Sequence, residues 1–185
     1  MKRALLLSLL PLLLAAGVVD RVAVVVGKTV ITESEILDNL RVTELLNGET
    51  GDFSPEKRRA AAEHLVDQQL LRNEMNLSRF AMPAPAESET LLQEFIPRHF
   101  HNVDEYHAAL QKYGISEEQL KQQLTWQLAV IRFTDFRFPA DLPAPSDGAD
   151  RQATATVTSV DQQLEAWLKD ARNNTRVVFK PEAFQ

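Results

Sequence analysis

Apolar and polar positions change their period several times along the chain, and those changes divide it into elements. Val18 to Val26 is rich in β-branched residues, Gly27-Lys28 is a two-residue connection with Gly where a type II′ turn needs it, and Thr29-Val30-Ile31 follows. This pattern predicts a short β-hairpin. It gives way at once to a helix, because Thr32-Glu33-Ser34-Glu35 has the spacing of a capping box, and Gly48 and Gly51 end that helix. Ser54-Pro55 places an N-cap before a helix-initiating proline, and no breaker follows until about Asn76. Within this long helix Ala62, Leu65, Val66 and Leu70 share one face, while Leu71 and Met75 lie well round the cylinder.

The pattern continues with a helix from Glu87 to Phe100, interrupted near Pro97. Asn102-Val103-Asp104-Glu105 reads as a second capping box, ahead of a stripe of Val103, Tyr106, Leu110 and Tyr113 that ends at Gly114. Ser116-Glu117-Glu118-Gln119 opens the next helix, whose main stripe is Leu120, Leu124, Leu128 and Ile131, with Trp126, Val130 and Phe133 on the opposite side. Pro139 to Thr158, with Pro143, Pro145 and Gly148, reads as a linker. Ser159-Val160-Asp161-Gln162 then caps a last helix carrying Leu164, Trp167, Leu168 and Ala171, and Thr175 to Lys180 is a terminal strand. A lone strand needs an edge to pair with, and the N-terminal hairpin is the only other β candidate, so the two ends of the chain are expected to meet.

Composition adds the compartment. Lys2 and Arg3 precede an apolar run from Ala4 to Ala16, and Ala15-Ala16-Gly17 has the small residues of a cleavage site, so residues 1–17 read as a secretory signal peptide. Asp20 and Arg21 end the apolar stretch short of the ~20 residues that a spanning helix needs, which argues for cleavage over a membrane anchor. With 185 residues the chain is long enough to bury a core without disulfides, and its cysteine count of 0 removes disulfides, thiolate metal sites and thiol nucleophiles. The formal net charge of −6 argues against a nucleic-acid partner.

Candidate chemistry is sparse. His99-Phe100-His101 with His107 lacks a carboxylate or cysteine at ligand spacing, and residues two apart do not share a helix face, so these read as surface histidines. The sequence contains no nucleophile elbow, zinc-protease helix motif or phosphate loop, and no cofactor or metal is expected. More informative are Phe95, Phe100, Tyr106, Tyr113, Trp126, Phe133, Phe136 and Phe138, which read first as core. The two long helices, however, carry second apolar stripes that one small core does not cover. Leu71, Met75, Phe95, Phe100, Tyr106, Tyr113, Trp126, Val130, Phe133 and Phe136 are therefore the candidate polypeptide-binding residues, each either filling the interior or lining a groove.

The run Asp20-Arg21-Val22-Ala23-Val24-Val25-Val26-Gly27-Lys28-Thr29-Val30-Ile31-Thr32-Glu33-Ser34-Glu35-Ile36 closely resembles the opening of mature SurA-type periplasmic chaperones, a family that includes parvulin-like peptidyl-prolyl isomerases. Leu65-Val66-Asp67-Gln68-Gln69-Leu70-Leu71 is similar to that family's long second helix, and Tyr113-Gly114-Ile115-Ser116 through Leu128 to its Gly-Ile/Val-Ser turn and following helix. Leu164 to Arg172 with Val177-Val178 resembles the C-terminal helix and strand that return to complete the chaperone module. Family isomerase domains are inserted where this chain has only Pro139 to Thr158, well below the ~50 residues of a folded domain, so the resemblance implies the chaperone module without the enzyme.

The expectation is thus a mostly α, multi-helix module over residues 18–138, completed by residues 159–185 and closed by a small sheet from both chain ends. It would work in the periplasm as a holdase for unfolded or newly translocated envelope polypeptides, outer-membrane proteins among them. No nucleic acid partner and no stable membrane insertion after signal cleavage are expected. The alternatives are a dedicated structural or adaptor subunit of an envelope assembly and, further off, an isomerase.

Overall fold

The computed structural model describes residues 20–49, 51–138 and 149–185, with side chains from Val160 onward in the last stretch. The expected signal segment, Val18 and Val19, and residues 139–148 of the expected linker lie outside the described residues. Strands β1 (Val22–Val26) and β2 (Thr29–Thr32) form the hairpin, with Val26 opposite Thr29 across the two-residue loop. Gly27 takes φ +61° and Lys28 keeps a negative φ, the combination of a type II′ turn, which explains the need for Gly at the first loop position. Ala23 is an extra residue between Val22 and Val24 in the ladder; its carbonyl turns aside to accept from the Lys180 amide at 2.8 Å.

Helix α1 (Glu33–Asn47) starts directly from β2 through a closed capping box: the Glu35 amide donates to the Thr32 hydroxyl, and the Thr32 amide donates to the Glu35 carboxylate at 2.7 Å. Asp20 anchors the chain ahead of β1 to the same helix end by accepting from the Ser34 hydroxyl and amide. These bonds, the Ser34 hydroxyl first, hold the exposed Asp20 carboxyl below its usual range. Helix α2 (Pro55–Leu77) is capped by Ser54 as expected.

Three boundaries differ from expectation. Helix α3 (Pro85–His99) begins two residues earlier than Glu87, with Pro85 in its first turn, and runs unbroken past Pro97. Pro97 sits in the last turn, where its missing amide costs one bond near an end that is already releasing carbonyls. In α4 (Val103–Tyr113) the Glu105 amide donates to Asn102 Oδ1 at 2.8 Å, but the Glu105 carboxylate reaches back one residue too far for a box, to the amide and ring nitrogen of His101. Helix α6 spans Ala149–Asn174, so it begins ten residues before the Ser159 start that its sequence predicts, and part of the expected linker is helical. Helix α5 (Glu117–Arg137) has the full Ser116–Gln119 box.

Strand β3 (Val177–Phe179) pairs antiparallel with β1, placing Val24 opposite Phe179 and giving the sheet order β2-β1-β3. The ends of the chain therefore meet as expected, with β1 in the middle. A 3-10 turn (Pro181–Phe184) follows and inserts Ala183 beside Val24 and Ala62. Arg59 lies over the Phe179 ring at 3.6 Å, and Arg172 bonds Asp67 at 2.6 Å and the Glu63 carbonyl at 3.1 Å, which ties α6 to α2.

Burial follows from these placements in three clusters. The sheet, the starts of α1 and α2 and the end of α6 enclose Val24, Val26, Ile36, Ala62 and Val66. The end of α1 with α3, α4 and the start of α5 encloses Leu92, Phe95, Tyr106, Leu110 and Leu120. The far halves of α2 and α5 enclose Leu71, Met75, Trp126, Ala129 and Phe133, with Leu164, Trp167 and Leu168 of α6 packed against them. Each large apolar side chain buried in this way contributes about 1.5–3 kcal/mol relative to exposure. The molecule is a mostly helical module, six helices among the described residues, closed by a small antiparallel sheet.

Candidate polypeptide-binding surface

The two-faced helices leave two arrangements open, an internal one and a groove, and at most positions the chain takes the internal one. Leu71, Met75, Trp126 and Phe133 are interior where α2 and α5 meet under α6, so four of the candidate groove residues are core. Phe133 is fully enclosed, with Phe80 edge-on at 5.3 Å between ring centres. Phe95 and Tyr106 are core in the second cluster, with Phe100 between them at 6.1 and 5.5 Å. Tyr106 hydroxyl donates to Glu117 at 3.2 Å; burial, and then that neighbouring carboxylate, push its phenol well above the usual range.

Phe100, Tyr113 and Val130 are half-buried, and Tyr113 donates to the Glu49 carbonyl at 2.8 Å. Phe136 is the candidate left outside, 62% exposed. The expected hierarchy on α5 is inverted at its far end: Ile131, from the stripe expected to face the core, is 59% exposed, while Trp126 and Phe133 are inside. The cause is α6, whose Leu164, Trp167 and Leu168 cover the side of α5 that carries Trp126 and Phe133. Val103, first in the α4 stripe, is likewise exposed, because it precedes the point where α4 meets α1.

Among the clefts that remain open, three share lining residues around Trp126, between α5 and its neighbours. One, of about 330 Å³, lies between β2, α1, α2 and α5 and is lined by Val30, Gln68, Gln69, Arg72, Gln119, Gln122 and Gln123. A second, of about 540 Å³, adds Met82, Pro83, Ser88 and Lys121. A third, of about 480 Å³, adds Leu71, Val130, Ile131, Leu164 and Leu168. Trp126 lines all three, offering an edge to each from its buried position. Arg72 lies over the Trp126 ring at 4.1 Å and lines the first two.

The apolar stripes do not reveal the glutamines or Arg72, because amides and guanidinium read as solvent face. Their spacing nevertheless carries a signal. Gln119, Gln122, Gln123, Trp126 and Gln127 recur at helical intervals on one face of α5, and Leu65, Gln68, Gln69 and Arg72 do so on α2. Neutral amides each offer both donors and acceptors without demanding a charge, which suits contact with peptide groups whatever the side chains.

His99 stacks on Phe95 at 4.1 Å and His101 bonds Glu105, and no group of three or more His, Asp or Glu among the described residues is placed to hold a metal ion. Among the described residues no helix is long and apolar enough to cross a membrane. Compared with known proteins, the chain matches no family model and no curated protein.

Proposed function

We propose that this chain is a holdase of the SurA type, exported through residues 1–17 and acting in the periplasm on unfolded or newly translocated envelope polypeptides, outer-membrane proteins among them. It binds without catalysis. The observation that carries this reading is the convergence of three open clefts on Trp126, whose walls combine amides and aliphatic side chains with Arg72, Lys121 and a few carboxylates such as Asp38 and Glu89. Such a surface contacts backbone and apolar side chains with little demand on sequence. Affinity per segment stays modest because ordering an unfolded chain offsets much of the contact energy, which makes binding passive and reversible.

The test is suppression of aggregation of several chemically different unfolded proteins at equimolar amounts without nucleotide. Protection of all of them is expected. Protection of none, together with photo-crosslinking from Ile131 at the cleft mouth to one recurrent envelope protein, would replace the holdase by a dedicated adaptor.

A further inference from the structure

We infer that an extended polypeptide segment docks as an added strand on the free edge of β2, runs into the glutamine-lined cleft, and delivers a carboxylate to Arg72; this rests on the holdase reading and specifies its binding mode. The sheet order β2-β1-β3 leaves the outer side of β2 unpaired among the described residues. Across a two-residue loop Val26 and Thr29 form the hydrogen-bonded pair, so Val25 and Val30, the next pair, are non-hydrogen-bonded. The amide and carbonyl of Val30 therefore point away from β1. The neighbouring Thr32 amide is already taken by Glu35, which confines the open edge to a single bridge of one donor and one acceptor.

Thr29, Val30 and Ile31 form one wall of the 330 Å³ cleft, so a strand laid on that edge continues into it; the two carboxylates that also line it are already engaged, Glu35 by the Thr32 amide and Asp38 by Arg41, which leaves Arg72 as its unpaired charge among the described residues. The amides waiting there retain bonding capacity. Gln69 and Gln122 use their NH₂ groups on Asn73 and Glu118, leaving their carbonyls free to accept, and Gln119 uses its carbonyl on Ser116, leaving its NH₂. Gln123 makes no side-chain hydrogen bond to another described residue. Arg72 has no carboxylate within ion-pair distance among the described residues and is exposed, with its guanidinium carbon 4.1 Å from the centre of the Trp126 ring. The guanidinium's fork of donors matches a carboxylate bidentately. The occupant is thus a chain with free peptide groups and an acidic side chain, Asp or Glu.

The test uses the wild-type protein and a fluorescent peptide of Thr, Val and Ser with one Asp and a blocked C-terminus, followed by anisotropy. Methylating alternate backbone nitrogens, which blocks strand addition and leaves side chains alone, is expected to weaken binding about tenfold, as loss of a two-bond bridge should. Replacing the peptide Asp by Asn should weaken binding several-fold to the wild type and leave binding to Arg72→Gln unchanged. A second peptide with no Asp and a free C-terminus is expected to bind no better than the Asn peptide; tight binding of it that Arg72→Gln abolishes would overturn the assignment to an acidic side chain. Val30→Pro removes the edge donor without touching the β1 ladder; if it lowers the melting temperature, the methylated peptide on wild-type protein still decides. Equal binding of methylated and plain peptides, an Asp-to-Asn effect that persists in Arg72→Gln, or no binding of any peptide overturns the inference. A wild-type protein that protects clients yet ignores backbone methylation sinks this binding mode alone, whereas failure to protect any client sinks the holdase reading.

Discussion

Trp126 packs against Leu71, Met75 and Phe133 on one side and carries the Arg72 guanidinium on the other, so one indole serves both interior and cleft. Phe133 and Phe136, three positions apart on α5, differ sharply, the first enclosed and the second exposed. Phe133→Ala is expected to cost about 3–5 kcal/mol in urea unfolding, as for a fully enclosed aromatic, while Phe136→Ser should stay within about 0.5 kcal/mol. Equal effects would mean that the third cluster is wrongly assigned. Glu87 supplies a pH test. Its carboxylate accepts from Arg132 at 2.6 Å and from the Ala84 amide at 2.8 Å, and these, Arg132 first, hold it below the ordinary value of 4.5. A lowered folded-state value gives stability that is present above the unfolded value and lost as pH falls through the folded one. The melting-temperature gap between wild type and Glu87→Gln should therefore be widest near neutral pH, begin to narrow as pH falls past the ordinary value of 4.5, and close only below the lowered folded-state value.

At the level of elements, legibility follows the range of the interaction. The Thr32–Glu35 and Ser116–Gln119 boxes are readable because both partners lie within four residues and nothing competes for them. The Asn102–Glu105 box fails because His101 offers Glu105 two donors one position earlier. The early start of α6 is hidden by composition: residues 149–158 hold alanine, threonine and polar residues with almost nothing apolar to show a period. Which stripe of α5 is interior is set by α6, an element distant in sequence, so no local pattern records it. Closure by β3 is readable from the need of a lone strand for a partner. Deleting residues 176–185 removes β3 and the 3-10 turn and uncovers β1 and Trp167. That loss of burial is on the order of 5 kcal/mol, comparable to the whole stability of a domain, so a large fall in melting temperature is expected. An unchanged melting curve would refute the closure argument.

For the whole molecule, the described residues form one arrangement of three clusters in which α5 and α6 reach more than one of them. The clefts lie on the seams between these clusters, where packing of helices leaves gaps. The glutamine walls were out of reach of a reading based on apolar periodicity, yet they sit on helix faces that the same periodicity locates. The proposal of binding without chemistry makes a direct prediction: the purified protein should not accelerate cis/trans exchange in a proline peptide above background, as followed by a protease-coupled assay. Acceleration well above background would restore the isomerase alternative.

The central place of β1 has a consequence for the order of events during synthesis. Its first neighbour arrives within a few residues, but its second is separated from it by most of the chain, Val24 meeting Phe179. Closing a loop of that size in an unstructured chain costs on the order of 4–5 kcal/mol, and the cost falls only as the intervening helices form. Until β3 emerges, both sides of the hairpin are bare strand edges, a state that proteases and other edges can recognise. Sealing of the sheet thus reports that residues as late as Phe179 have been delivered, and a chain interrupted before that point carries its own mark of incompleteness.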